Sequence, residues 1–323
     1  MTIEDLKNDI SSVLEADGCS AEFYFLLDTD GGMSVKLVDI NEQDHIELGR
    51  MFIDGASEKI VNNEDLSLLS LSGADERQNA IYHYDLDEVP VGIQFLKTII
   101  ESEDIESVNL DDDCLSNLEG ILILVGNEEH QLAIYKHQYP ITLLQKGSGF
   151  NLVKPRNGNR FSKLETDILK INSKFEFIKI NGEYYILDIK ALEKFFGFHD
   201  AIKNVAEIGV ENISSSDLVM NCEVFTRRLD DISFSRKLVR SASNSPVLGE
   251  VSNDEIISFT QEHPSLKGRF KYSDDGTQLN LTTKVSQDLF LKLLNDDYLQ
   301  SELTNRLYDS IAKDNVTAEV ETA

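Results

Sequence analysis

The chain has 323 residues, of which 41% are hydrophobic and 8% aromatic, and 30 basic against 58 acidic residues give a formal net charge of −28. That much apolar material supports a buried core and excludes wholesale disorder, and the length accommodates one large or two ordinary domains. Acids stand where a secretory leader carries basic residues, and no window reaches about 18 uninterrupted apolar residues, so the expectation is a cytoplasmic protein without a span of its own.

The first helical pattern runs from Ile3 to Ala16, with apolar residues at Ile3, Leu6, Ile10, Val13 and Leu14 behind Thr2 as N-cap. Strands are predicted over Ala21 to Leu27 and Met33 to Ile40, turning at Asp30-Gly31-Gly32, followed by a helix over Glu42 to Val61. Ser67 to Leu71 and Ala80 to Leu86 read as strands, and Val91 to Ile100 as a helix. Glu101 to Asp113 carries seven carboxylates but lacks the alternating acids, the glycine and the distal Glu of a calcium loop, so it reads as a solvated loop. Gly120 to Val125 and Gln131 to Tyr135 form a second hairpin turning at Asn127-Glu128-Glu129.

The charge then changes sign. Residues 1–135 hold 6 basic and 31 acidic residues, a net of −25, whereas residues 136–174 hold 8 basic and 2 acidic, a net of +6. With Lys146 to Phe150 and Pro155 to Gly158 reading as flexible, a boundary is placed near residue 150. It separates an acidic α+β domain, 1–150, from a second α+β domain, 151–323. In the second, Ile168 to Ile171, Phe175 to Ile180 and Tyr184 to Ile189 are strand-like, the last two flanking the turn Asn181-Gly182. Lys190 to Ala206, a helical pair within Ser215 to Ser241, and Asn253 to Glu262 are predicted helices. Gly268 to Leu281 reads as a hairpin, Ser286 to Ala312 as mostly helical, and the last eleven residues as frayed. The fold class is α+β: mixed helices and antiparallel hairpins, with an acidic N-terminal region and a more helical C-terminal region.

Chemistry-bearing patterns are sparse. Cys19, Cys114 and Cys222 are too far apart for a disulfide framework or a cysteine zinc site. His45, His83, His130, His137, His199 and His263 show no ligand spacing, and the glycines form no dinucleotide or P-loop pattern. No cofactor and no metal is expected. Asp188 and Lys190 at a strand end, with Glu176 or Asp167 as a second acid, resemble the acid–lysine arrangement of Mg²⁺-dependent nucleases, but Asp188 serves equally as a helix cap. Two basic groupings suit phosphate backbones: Lys146, Lys154, Arg156, Arg160 and Lys163 interleaved with Phe150 and Phe161, and Arg227, Arg228, Arg236, Lys237 and Arg240 on the predicted helical pair.

The segments LAIYKHQYPITLLQKG (Leu132 to Gly147), FEFIKINGEYYILDIKALEKFFGF (Phe175 to Phe198) and FLKLLNDDYLQSELTNRLYDSIAK (Phe290 to Lys313) resemble the KwaB-like family, the soluble component of the Kiwa anti-phage defence system. The likeness covers about residues 120–313, with the N-terminal part matching in layout. It implies a cytoplasmic defence protein that binds DNA non-specifically, works with the multi-pass membrane protein KwaA, through which it is recruited to the inner membrane, and self-associates as a homodimer or higher oligomer. It supplies no catalytic residues. A Mg²⁺-dependent nuclease using Asp188 and Lys190, and an acidic DNA mimic that captures a DNA-processing enzyme, are the alternatives.

Overall fold

The computed structural model describes residues 2–30, 32–75, 77–86, 89–90, 93, 105–110, 115–127, 130–139, 143–144, 152–153, 160–163, 166–243 and 245–310. They cluster into two compact units, one of residues 1–68, 79–84 and 91–196, the other of residues 69–78, 85–90 and 197–323.

Helix α1 (Ile3–Leu14) begins at a capping box: the Thr2 hydroxyl accepts from the Asp5 backbone N–H, and the Asp5 carboxylate accepts from Thr2. Leu6, Ile10 and Val13 are its buried stripe. Strands β1 (Ser20–Thr29) and β2 (Gly32–Leu37) follow, then α2 (Glu42–Ala56), capped by Asn41 and extended by one π turn over Ser57–Val61. After β3 (Ser67–Ser70) and β4 (Ala80–His83) come the long strands β5 (Leu118–Gly126) and β6 (Gln131–His137). Two-residue strands β7 (Leu143–Leu144), β8 (Leu152–Val153), β9 (Ser162–Lys163) and β10 (Ile168–Leu169) pair as β7–β10 and β8–β9. β11 (Phe177–Ile180), β12 (Glu183–Ile186) and α3 (Ile189–Phe195) complete the first unit.

Eight strands form one sheet in the order β2-β1-β5-β6-β11-β12-β4-β3. Those whose register is described pair antiparallel. β5, the apolar run of the sequence, is buried along almost its whole length, as a central strand covered on both faces must be. Ile121, Ile123 and Val125 pack with Leu132, Ile134 and Ile178 against Leu6, Ile10, Phe52 and Ile60 of the helical layer. On the opposite face Tyr135 stacks on Phe177, ring centroids 4.6 Å apart, and meets Phe196 edge-on. Asn181 and Gly182 both hold positive φ, the geometry a two-residue hairpin demands. The sheet therefore joins strands from both sides of residue 150, because β11 pairs with β6.

The second unit contains α4 (Phe198–Ser215), α5 (Glu223–Thr226), α6 (Ile232–Ser243), α7 (Asn253–Glu262), the hairpin β13 (Lys271–Tyr272) with β14 (Leu279–Asn280), α8 (Lys284–Leu294), and the hairpin β15 (Tyr298–Gln300) with β16 (Leu307–Asp309). Phe225 stacks between Phe234 and Phe290 at its centre. The α+β class holds, with helices concentrated in this unit.

Three expectations are corrected. The helix predicted over Glu42 to Val61 changes to a π turn after Ala56. The single helix predicted over Lys190 to Ala206 is two helices, separated at Gly197, which sits at φ 70. The helix predicted from Ser286 to Ala312 stops at Leu294, and a hairpin follows. Leu299, Leu303 and Leu307 recur every four residues and mimic a helical stripe, but Asp296 and Asn305 adopt left-handed conformations that turn the chain, and Leu303 is 93% exposed. The predicted helix over Val91 to Ile100 lies outside the described residues except for Ile93. So do Gly31, Glu128, Glu129, most of the acidic run Glu101 to Asp113, Cys114, the Lys146 to Phe150 stretch, Pro155 to Gly158 and the C-terminal tail.

Candidate functional site

The first unit carries an open cavity of about 600 Å³ where the ladder between β6 and β11 ends. Along β6, Leu132 and Ile134 face the helical core, and alternation places Lys136 next on that face. Lys136 is 4% exposed, and its ammonium donates to Asn172 Oδ1 and the Lys174 carbonyl, both at 2.9 Å. Lys59, from the π turn after α2, donates to the Ser173 carbonyl at 3.2 Å and lies 4.2 Å above the Phe175 ring. Lys174 lines the cavity with an exposed side chain. Three ammonium groups thus converge on the turn that leads into β11.

The acids are held differently. Glu176 is buried, and its Oε2 accepts the His137 backbone N–H at 2.6 Å, replacing a carbonyl where the strand ladder stops. Its own carbonyl accepts from Leu187 and Asp188. Asp188 caps α3, its Oδ1 accepting the Ala191 N–H at 3.1 Å. Glu176 and Asp188 line the same cavity, as an acid pair would need to, whereas Lys190 is exposed on the first turn of α3 and does not line it. Among the described residues, no group of three or more His, Cys, Asp or Glu side chains is placed to hold a metal ion.

Burial sets the protonation behaviour here. It pushes the Glu176 carboxyl above its ordinary value; the His137 N–H, Lys136 and Lys59 pull it part of the way back, and Asp188 opposes them. Burial lowers both Lys136 and Lys59, against the attraction of Glu176. His137 is held down to about 4 by burial and by the charges of Lys194 and Lys136. Its ring stacks on Phe195, centroids 3.7 Å apart, and meets Tyr139 edge-on. At neutral pH the cavity wall therefore includes a neutral imidazole at His137.

The predicted basic groupings are dispersed. Lys146, Lys154 and Arg156 lie outside the described residues. Arg160 and Lys163 are exposed beside Phe161, which is 68% exposed. Arg227 is exposed, but Arg228 bonds Gln287 Oε1 and Asp288 Oδ1, both at 3.0 Å, and stacks on Phe234. Arg236 is 7% exposed, and Arg240, one turn further along α6, is half-buried. The i,i+4 pair thus lies on the packed face among Phe234, Leu238 and Val239, and Lys237 alone of the three faces solvent. The sequence grouping followed spacing along the helix and did not register which face is covered. Sequence reasoning missed the cavity lysines, Asn172 and Tyr139 as a set. The available signal was Lys136, a cation at a position the alternation of β6 assigns to the core.

The fold and site define an α+β protein with a lysine-lined cavity in its larger sheet. The family model described as Kiwa protein KwaB-like matches residues 115–304, which include Lys136, Lys174, Glu176 and Asp188. Kiwa protein KwaB of Escherichia coli O55:H7 (strain RM12579 / EPEC) is 31% identical over 319 residues, spanning 97% of this chain and 99% of that protein, so the likeness extends through the acidic N-terminal region. No solved structure matches. The chain belongs to the Kiwa protein KwaB-like family, and membership supports a Kiwa-type anti-phage defence role. No helix among the described residues is long and apolar enough to cross a membrane.

Proposed function

We propose that the chain serves anti-phage defence by holding DNA non-specifically without cutting it, while associating with a membrane partner of the KwaA kind and with further copies of itself. The observation that carries the DNA reading is the exposed run of Arg160, Phe161 and Lys163. An aromatic face flanked by cations accepts stacked bases while the charges meet phosphates, and neither contact requires a particular sequence. Arg227 and Lys237 add exposed charges of the same kind. At −28 the whole molecule repels DNA, so affinity rests on these short-range contacts and falls steeply with salt.

The test is DNA binding by fluorescence anisotropy across a salt series. Neutralising about four phosphates predicts a loss of about two orders of magnitude between about 50 and 200 mM salt. Arg160→Glu with Lys163→Glu is expected to weaken binding at least tenfold, and Phe161→Ala to weaken single-stranded DNA more than duplex. Salt-insensitive binding, or binding unchanged by the charge reversals, refutes the assignment. Partner association is read by co-purification from membrane extracts, and self-association by light scattering.

A second reading, Mg²⁺-dependent cleavage, is favoured by Glu176 and Asp188 sharing one cavity. It requires cleavage that disappears in Asp188→Ala, and its absence in wild-type protein with Mg²⁺ or Mn²⁺ removes it.

A further inference from the structure

The cavity holds more cation than its hydrogen bonds explain. An ammonium in a protein interior is ordinarily matched by a carboxylate, because neutral acceptors recover only part of its hydration. Lys136 is almost wholly buried, yet its two hydrogen bonds go to an amide oxygen and a backbone carbonyl, and among the described residues nothing accepts from its third donor. Lys59 also donates to a carbonyl, and among the described residues neither lysine is within ion-pair distance of a carboxylate. The nearest buried acid, Glu176, has one oxygen committed to the His137 N–H, and Asp188 is engaged at the start of α3. Lys174 adds a third ammonium from the exposed side. The volume, about 600 Å³, far exceeds a bare anion and falls in the range of organic ligand sites. Tyr139, 38% exposed, supplies an aromatic wall.

We propose that this cavity is a nucleotide site that takes a phosphoryl group between Lys59, Lys136 and Lys174, with the nucleoside against Tyr139. The site uses none of the residues assigned to DNA, and so goes beyond the DNA-binding reading. The phosphoryl group belongs either to a free mononucleotide or to the 5′ end of a nucleic acid.

Titration calorimetry without divalent cations tests it, using adenosine monophosphate, adenosine, and a trinucleotide carrying a 5′-phosphate or a 5′-hydroxyl. Adenosine monophosphate is expected to bind at least tenfold more tightly than adenosine. Binding of the phosphorylated trinucleotide assigns the site to nucleic-acid ends, and its exclusion assigns the site to free nucleotides. Lys136→Met is expected to lower affinity at least tenfold. Should that variant misfold, Lys174→Glu serves in its place, because the Lys174 side chain is exposed and only its carbonyl supports Lys136. Arg160→Glu with Lys163→Glu is expected to leave nucleotide affinity unchanged, which separates failure of this site from failure of the DNA reading. Equal binding of adenosine and its monophosphate, no heat with either at about 1 mM, or affinity unaffected by both lysine variants overturns the proposal.

Discussion

His137 makes the cavity wall an acid-sensitive part of the fold. Its imidazole titrates near 4 in the folded protein against an ordinary 6.5, because it is 4% exposed, stacked on Phe195 and close to the charges of Lys194 and Lys136. The unfolded chain therefore binds a proton at His137 that the folded chain does not, and the resulting stabilisation is complete above pH 6.5 and lost as pH falls toward 4. At about 1.4 kcal/mol per pH unit, the full loss is at most about 3.5 kcal/mol. Because the sequence pI is about 4.5, precipitation limits work at the bottom of this window, and the useful range is about pH 7.5 to 5. Over that range linkage predicts a loss of about 2 kcal/mol. The comparison protein is His137→Phe, which keeps an aromatic ring on Phe195 and gives up the imidazole's 3.4 Å contact with the Tyr135 hydroxyl and its hydrogen bond to the Glu119 backbone. Glu176 titrates in the opposite sense, since its raised pKa favours the folded state as pH falls, but it is present in both proteins and cancels in the difference. Urea unfolding at each pH should show the wild-type midpoint falling by roughly 0.7–1 M more than that of the variant, for a slope of 2–3 kcal/mol/M. A gap between the two stability curves that stays constant from pH 7.5 to 5 refutes the assigned protonation state.

Three further substitutions probe the frame. Gly126 sits at φ 135, where an added Cβ meets the His130 carbonyl oxygen at 2.0 Å, so Gly126→Ala is expected to cost roughly 2 kcal/mol or more and lower the melting temperature by several degrees. Arg228→Leu gives up the bonds to Gln287 and Asp288 and should destabilise by about 1–3 kcal/mol in thermal unfolding, whereas Arg227→Ala, at an exposed position, should fall within about 0.5 kcal/mol. Ser252→Ala removes the capping box of α7 and should cost about 1 kcal/mol, with Thr and Asp restoring most of it.

Much of the element list was legible because its causes are local. Thr2 and Asp5 cap α1, and Asn181-Gly182 turns β11 into β12, each without reference to any distant neighbour. The segment after Leu294 misled for the same reason: apolar residues at four-residue spacing propose a helix, and only packing tells whether that stripe has anything to cover. The candidate site was legible only in part. Glu176 or Asp167 stood in the sequence as the acid to accompany Asp188 and Lys190; Glu176 and Asp188 line one cavity, and Lys190 is not among its lining residues.

By itself, the sequence determined the α+β class, the charge asymmetry, the family likeness and the caps and turns, each of which depends on residues close together in the chain or on composition. Tertiary structure alone decided that β6 pairs with β11, about forty residues later, and so brings Lys136 beside Asn172 and Lys174, with Lys59 arriving from the end of α2. It also decided that Arg236 turns inward while Lys237, its neighbour, faces water. Spacing fixes which residues share a face, but which face is buried, and against what, is set by the long-range pairing and packing of elements that no local pattern encodes.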